Sequence, residues 1–173
     1  MRRCSEGYIK YGEKSRQSYM TSLLVQKKNP DFRQLRESLF LSTEKFEIYL
    51  REKFGFTDAD VQCRIWDSVK SKLTDVFTAV LPKLDRKQGM FEILACDFMF
   101  SQNLDRNWLI DIVSNPWFCT KTSKVLCKVN KALITKTLDN VLKFNELMDA
   151  SLGQYKFAEK DYAMEGFEVL IKK

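Results

Sequence analysis

The sequence predicts an α/β fold, mainly an antiparallel sheet packed by helices. Three observations predict it. Apolar residues recur at helical spacing from about residue 43 to 81. Two apolar, aromatic-rich segments, 90–100 and 107–113, are joined by a short polar turn. A long second run of helical spacing follows, from about 122 to 147.

The elements follow in order. Tyr8 to Tyr11 alternates weakly, and Met20 to Val25 is a short apolar strand candidate. Lys27-Lys28-Asn29-Pro30-Asp31 is a turn, because Pro30 pushes Asn29 out of the helical region. Ser42 or Thr43 can cap a helix over 43–54 with Phe46, Tyr49, Leu50 and Phe54 on one face. Gly55 stops it. Thr57 and Asp60 have the spacing of a capping box. They open a helix over 58–81 that buries Val61, Ile65, Val69, Leu73, Val76, Phe77 and Val80, and Pro82 ends it. The strands near 91–100 and 107–113 are apolar on both faces, so they are expected to be buried within a sheet. Ser114-Asn115-Pro116 breaks the chain before the last helix. Its apolar side is Val125, Leu126, Val129, Leu133, Leu138, Val141 and Leu142. Phe167 to Ile171 is a further strand candidate. There is no repeat and no Gly- or Pro-rich linker, so residues 1–173 are expected to form a single domain.

Composition narrows the chemistry. Hydrophobic residues make up 45% of the 173 and charged residues 30%, an ordinary balance for a globular chain. No apolar run approaches the roughly 20 residues that span a bilayer, so no membrane partner is expected. Histidine is absent, which excludes a histidine base from this chain and with it a Ser-His-Asp or Cys-His site. The five cysteines form no C-x-x-C pair, which argues for a reducing compartment and against structural zinc. The net charge of +6 suits an acidic partner. Lys124, Lys128 and Lys131, at i, i+4 and i+7, share one exposed helix face and are candidates for binding it. No helix-turn-helix, zinc or aromatic RNA-binding pattern speaks for nucleic acid.

Asp97 and Asp111 are acids embedded within the apolar strands. If the hairpin turns near Leu104, they lie on one face, opposite each other. Such a pair repels unless a cation lies between, and it suits an oxygen-ligated Mg²⁺ shared with a nucleotide phosphate. The alternative is that each acid simply reaches water at a strand end.

Phe91-Glu92-Ile93-Leu94-Ala95-Cys96-Asp97-Phe98-Met99, then Trp108-Leu109-Ile110-Asp111-Ile112-Val113-Ser114-Asn115-Pro116, resembles the end of the ATP-grasp domain of tubulin tyrosine ligase-like enzymes. The family pattern is approximately F-E-L-x-G-x-D-F followed by W-L-I-E-V/I-N-x-N/S-P. Gly7 to Tyr11 resembles the segment after the nucleotide hinge, and Tyr19-Met20-Thr21-Ser22 stands where the family has H-L-T-N. Gln26 to Phe32 is similar to the stretch beyond it. Lys136 to Leu142 falls where the family has its closing helix.

The resemblance implies a partial ATP-grasp-like domain from enzymes that use ATP and Mg²⁺ to join an amino acid to a tubulin carboxylate. It implies Thr21 and Ser22 as nucleotide-facing positions, and Asp97, Asp111 and Val113 as the metal-ligand positions. At the second the carboxylate is one methylene shorter, and at the third valine replaces asparagine. Tyr19 and Ser22 replace the histidine and asparagine of H-L-T-N, and Ala95 a glycine. The nucleotide-clamping upstream lobe lies outside the matched part. The expectation is therefore a non-catalytic module with no cofactor of its own. Its expected partners are tubulin or microtubules and other axonemal proteins, in the cytoplasmic cytoskeleton and a cilium or flagellum. The competing expectation is part of a tubulin polyglycylase or polyglutamylase, with ATP and Mg²⁺.

Overall fold

The computed structural model describes residues 1–12, 15–85, 87, 90–118, 122–150 and 166–171. The chain divides into two compact units, Met1–Gly55 with Phe118–Ala132, and Phe56–Trp117 with Leu133–Lys173.

In the first unit the N-terminal residues pair with the segment before the first long helix. The Met1 ammonium donates to the Leu41 carbonyl at 2.8 Å, and Arg3 N donates to the Leu39 carbonyl at 2.9 Å. Short helices α1 (Leu23–Gln26) and α2 (Phe32–Leu35) follow. The strand expected over Met20 to Val25 is thus a helix at its end. Gln26 N bonds to Ser22 O and Lys27 N to Leu23 O, both at 2.9 Å. A six-residue segment does not distinguish the two states; here Leu23 is buried while Leu24 faces water. The turn after α1 is as expected, with Asp31 N donating to the Asn29 side chain at 2.9 Å. Helix α3 (Thr43–Phe54) has the predicted bounds. Ser42 caps it, accepting from Lys45 N, and Gly55 ends it in the left-handed region at φ 66°. Leu23, Leu39 and Phe40 form a core with Phe32, Val125 and Leu126 against it, while Phe46 and Leu50 are also buried.

The second unit opens with the predicted capping box of Thr57 and Asp60 at α4 (Asp58–Asp60). The helical path continues as a π-helix over Val61–Asp67, then α5 (Ser68–Val80), then a 3₁₀ turn containing Pro82. The π segment was not foreseen. Of the seven residues expected to be buried along this path, Val61 and Ile65 are buried, whereas Val69, Leu73, Val76, Phe77 and Val80 are only half-buried, because α5 leaves part of that side open. Strands β1 (Leu94–Phe100) and β2 (Asn107–Ser114) form an antiparallel hairpin. Leu104 makes the turn at φ 57° and is buried. Helix α5 lies against β2, where the buried Asn107 side-chain amide donates to Ser68 Oγ at 2.9 Å.

Three expectations are corrected here. Among the described residues the sheet has two strands, and only one face is covered, so the hairpin is not buried on both sides. Residues Phe167 to Ile171 form no strand; Glu168 instead pairs with Lys70 at 2.7 Å. The last helix, α6 (Lys124–Ala150), runs through both units, and Val129, Leu138 and Leu142 on its expected apolar side are exposed. No helix among the described residues is long and apolar enough to cross a membrane.

Candidate functional site

The hairpin places the two acids as the alternation requires. Asp97 and Asp111 are directly paired across the strands, with Ala95 opposite Val113 and Met99 opposite Trp108 on either side of them. Between Asp97 and Phe98 the register shifts, because Phe98 pairs with Leu109 and leaves Ile110 as the extra residue. This bulge keeps Asp97 with Met99, and Asp111 with Trp108, on one face. The exposure pattern agrees. Asp97, Met99, Trp108, Ile110, Asp111 and Val113 are exposed, whereas Cys96, Phe98, Leu109 and Ile112 on the other face are partly covered.

Two carboxylates therefore stand in water within an apolar rim of Met99, Trp108, Ile110 and Val113. Exposure removes the desolvation cost that burial would have imposed. Asp111 Oδ1 accepts from Ile112 N at 2.9 Å, which turns one oxygen back onto its own backbone. On the covered side the Cys96 thiol is pushed up, first by burial and then by the Asp97 charge.

An octahedral Mg²⁺ can be held by one or two carboxylates if water or phosphate supplies the rest. Asp97 and Asp111 can offer that much. Val113, on the same face and 40% exposed, offers no lone pair. The three-ligand set that the resemblance implies thus does not fit these side chains. Among the described residues, no three His, Cys, Asp or Glu side chains come together as a metal site.

Thr21 and Ser22 lie in the other unit, just before α1. Ser22 is the residue before the helix, but its side chain makes no capping bond. Buried Gln26 holds their segment. Its amide nitrogen donates to the carbonyls of Gln17 at 3.0 Å and Met20 at 2.6 Å, and its oxygen accepts from Ser5 N at 2.9 Å.

The predicted lysine row is exposed, on the first turns of α6. Lys124, Lys128 and Lys131 line a cleft of about 410 Å³ together with Arg36, Glu37, Ser123 and Cys127. Glu37 closes the start of α6. It accepts from Ser123 Oγ at 3.0 Å and from Lys124 N at 3.2 Å, while Arg36 lies 3.7 Å away. Sequence reasoning missed Arg36 and Glu37, which no spacing links to residues 123–131.

The family model for the tubulin-tyrosine ligase family matches residues 1–149. An inactive polyglycylase of Homo sapiens is 30% identical over 129 residues, which is 72% of this chain and 19% of that protein. A protein polyglycylase of Rattus norvegicus is 29% identical over the same shares, 72% and 19%. Tubulin glycylase 3B of Tetrahymena thermophila is 27% identical over 158 residues, 89% of this chain and 12% of that protein. No solved structure matches. The chain thus spans about a fifth of the length of the human and rat relatives, and by the family match over residues 1–149 it belongs to the tubulin-tyrosine ligase family.

Proposed function

We propose that this chain is a non-catalytic member of the family that binds tubulin within the cytoskeleton, in a cilium or flagellum. The observation that carries the reading is Val113. It stands beside the paired Asp97 and Asp111, on the same open face, where an asparagine oxygen would be needed to complete the metal site. The named relatives support both halves of the proposal. One is an inactive polyglycylase, and another is a tubulin glycylase. The lysine row Lys124, Lys128 and Lys131 supplies the positive surface that an acidic tubulin tail would meet.

The test has two arms. Calorimetric titration with millimolar Mg-ATP is expected to show weak binding or none; low-micromolar binding would overturn the non-catalytic half. Co-sedimentation with stabilised microtubules is expected at low salt and should weaken as salt rises, because exposed charges are screened within about 8 Å at physiological ionic strength. Failure to pellet at low salt would defeat the tubulin half.

A second reading is favoured by the retained carboxylate pair and the likeness to glycylases. The chain would then be part of an ATP-dependent tubulin amino-acid ligase of polyglycylase or polyglutamylase type, with Thr21 and Ser22 facing nucleotide and Asp97 and Asp111 holding Mg²⁺. Incorporation of labelled glycine or glutamate into tubulin by a longer chain carrying an upstream lobe, lost with Asp97→Asn, would select it.

A further inference from the structure

We propose that the exposed face of α6 over residues 135–146 is an interface for a second copy of this chain, packed antiparallel about a twofold axis at the level of Val141. It goes beyond the tubulin reading and involves none of the lysine row. What the face leaves open is the first argument. Leu138 is 47% exposed and Leu142 59%. At about 100° per residue, Thr135, Leu138, Leu142 and Glu146 fall within roughly 80° of arc. All four are exposed. Asp139 and Lys143 are exposed along one edge of that arc, whereas Leu133, Thr137, Val141 and Phe144 on the far side are half-buried.

Charge is the second argument, and it names the occupant. Asp139 stands two residues before Val141 and Lys143 two residues after it. In an antiparallel second copy, Asp139 therefore comes level with the partner's Lys143, and Lys143 with the partner's Asp139, along the same edge of the contact. A twofold contact is self-complementary, so the pair is made twice. A parallel copy would instead set like charge against like, which repels. Within α6 the two residues have the i,i+4 spacing of an intrahelical pair. Yet among the described residues neither they nor Glu146 form an ion pair.

The apolar seam fits the same register. At 1.5 Å per residue, Leu142 lies about 3 Å along the axis from its own copy and about 3 Å from the partner's Leu138. The four leucines thus interleave at the centre. Thr135 comes within about 1.5 Å of level with the partner's Glu146, whose carboxylate can accept from the Thr135 hydroxyl. Burial of the leucines drives association, and the charged edge sets its direction. The contact is about three turns long, so it is small, and association is expected at micromolar rather than nanomolar protein.

The experiment is sedimentation equilibrium of the full chain, from about one to several hundred micromolar, with circular dichroism to check the fold of each variant. The parent should pass from monomer to dimer. Asp139→Lys and Lys143→Asp should each weaken the dimer roughly tenfold, because two exposed pairs are lost and reversed, and the double exchange should restore it. Leu142→Glu should leave a monomer. Under mild oxidation Leu142→Cys should give a linked dimer above the parent's background, whereas Ser71→Cys, exposed on α5, should not. If Leu142→Glu does not fold, the charge exchange decides alone. A chain that stays monomeric throughout would overturn the proposal. So would a dimer that a folded Leu142→Glu leaves intact, or one that the double exchange does not restore. Stabilised microtubules that dissolve the dimer and block the Leu142→Cys link would assign the face to tubulin and overturn the proposal as well.

Discussion

Replacing Asp111 with asparagine should stabilise the protein, although Asp111 stands at the most suggestive position in the sheet. Asp97 and Asp111 are paired across the strands and both are exposed. Facing residues in such a ladder have Cβ atoms about 5 Å apart, and like charges there are destabilising. Two unit charges at that distance in water repel by about 0.8 kcal/mol, from 332/(80 × 5). Asparagine keeps the oxygen that accepts from Ile112 N, so the local hydrogen bond survives. For a chain of this size, a gain of that order raises Tm by about 2–3 °C. Asp97→Asn should give a similar gain, and the double substitution should add little beyond either single one, because the repulsion can be removed only once. The gain should shrink in concentrated salt, where the screening length falls to about 3 Å. Thermal unfolding of the four proteins, with and without millimolar Mg²⁺, is the assay. If both single variants are less stable than the parent, the reasoning fails, because the carboxylates then hold something rather than repel each other.

Three further outcomes are expected. Gln26→Leu strands the Ser5 amide and the Gln17 and Met20 carbonyls, and at about 1 kcal/mol net for each lost bond it should cost roughly 3 kcal/mol, read as a lowered urea midpoint at unchanged m. Gly55→Ala meets no atom within 4 Å but sits at φ 66°, so its cost of about 1 kcal/mol should be backbone strain alone, again from urea unfolding. Burial, and secondly the Asp97 charge, hold the Cys96 thiol above the ordinary range. Its alkylation rate should therefore rise only at higher pH than that of a free thiol, and Asp97→Asn should move the rise back toward neutral.

Where local chemistry decides a boundary, the sequence was a sufficient guide. Helix α3 starts and stops as read because Ser42 and Gly55 act within one turn of themselves. The Thr57–Asp60 box likewise needs no distant residue. The failures share the opposite property. Met20 to Val25 is too short for periodicity to separate strand from helix, and the burial of Leu23 against Leu39 and Phe40 accompanies the helical outcome. The hairpin strands are apolar on both faces, a pattern that predicts a buried sheet. That pattern reports composition, not what covers each face. Among the described residues the outer face of Met99, Trp108, Ile110 and Val113 is open.

The two candidate sites differ in legibility for the same physical reason. A two-residue alternation and a short turn suffice to put Asp97 opposite Asp111, so that pair was visible in one stretch of fifteen residues. The bulge at Ile110 was not, since an extra residue leaves no mark in an already apolar strand. The lysine row was legible because α-helical spacing alone puts Lys124, Lys128 and Lys131 on one face. What turns that row into a cleft is Glu37, 86 residues earlier in sequence than Ser123. A helix start needs its free N–H groups satisfied, and a carboxylate from elsewhere can do so as well as a local cap. Once Glu37 is anchored there, its neighbour Arg36 is carried to the same wall. The positive lining of the cleft is therefore a by-product of how α6 is capped. A lysine row is common on solvated helices, whereas an arginine brought against it by the capping Glu37, the one carboxylate among the described lining residues, is the feature that distinguishes this one.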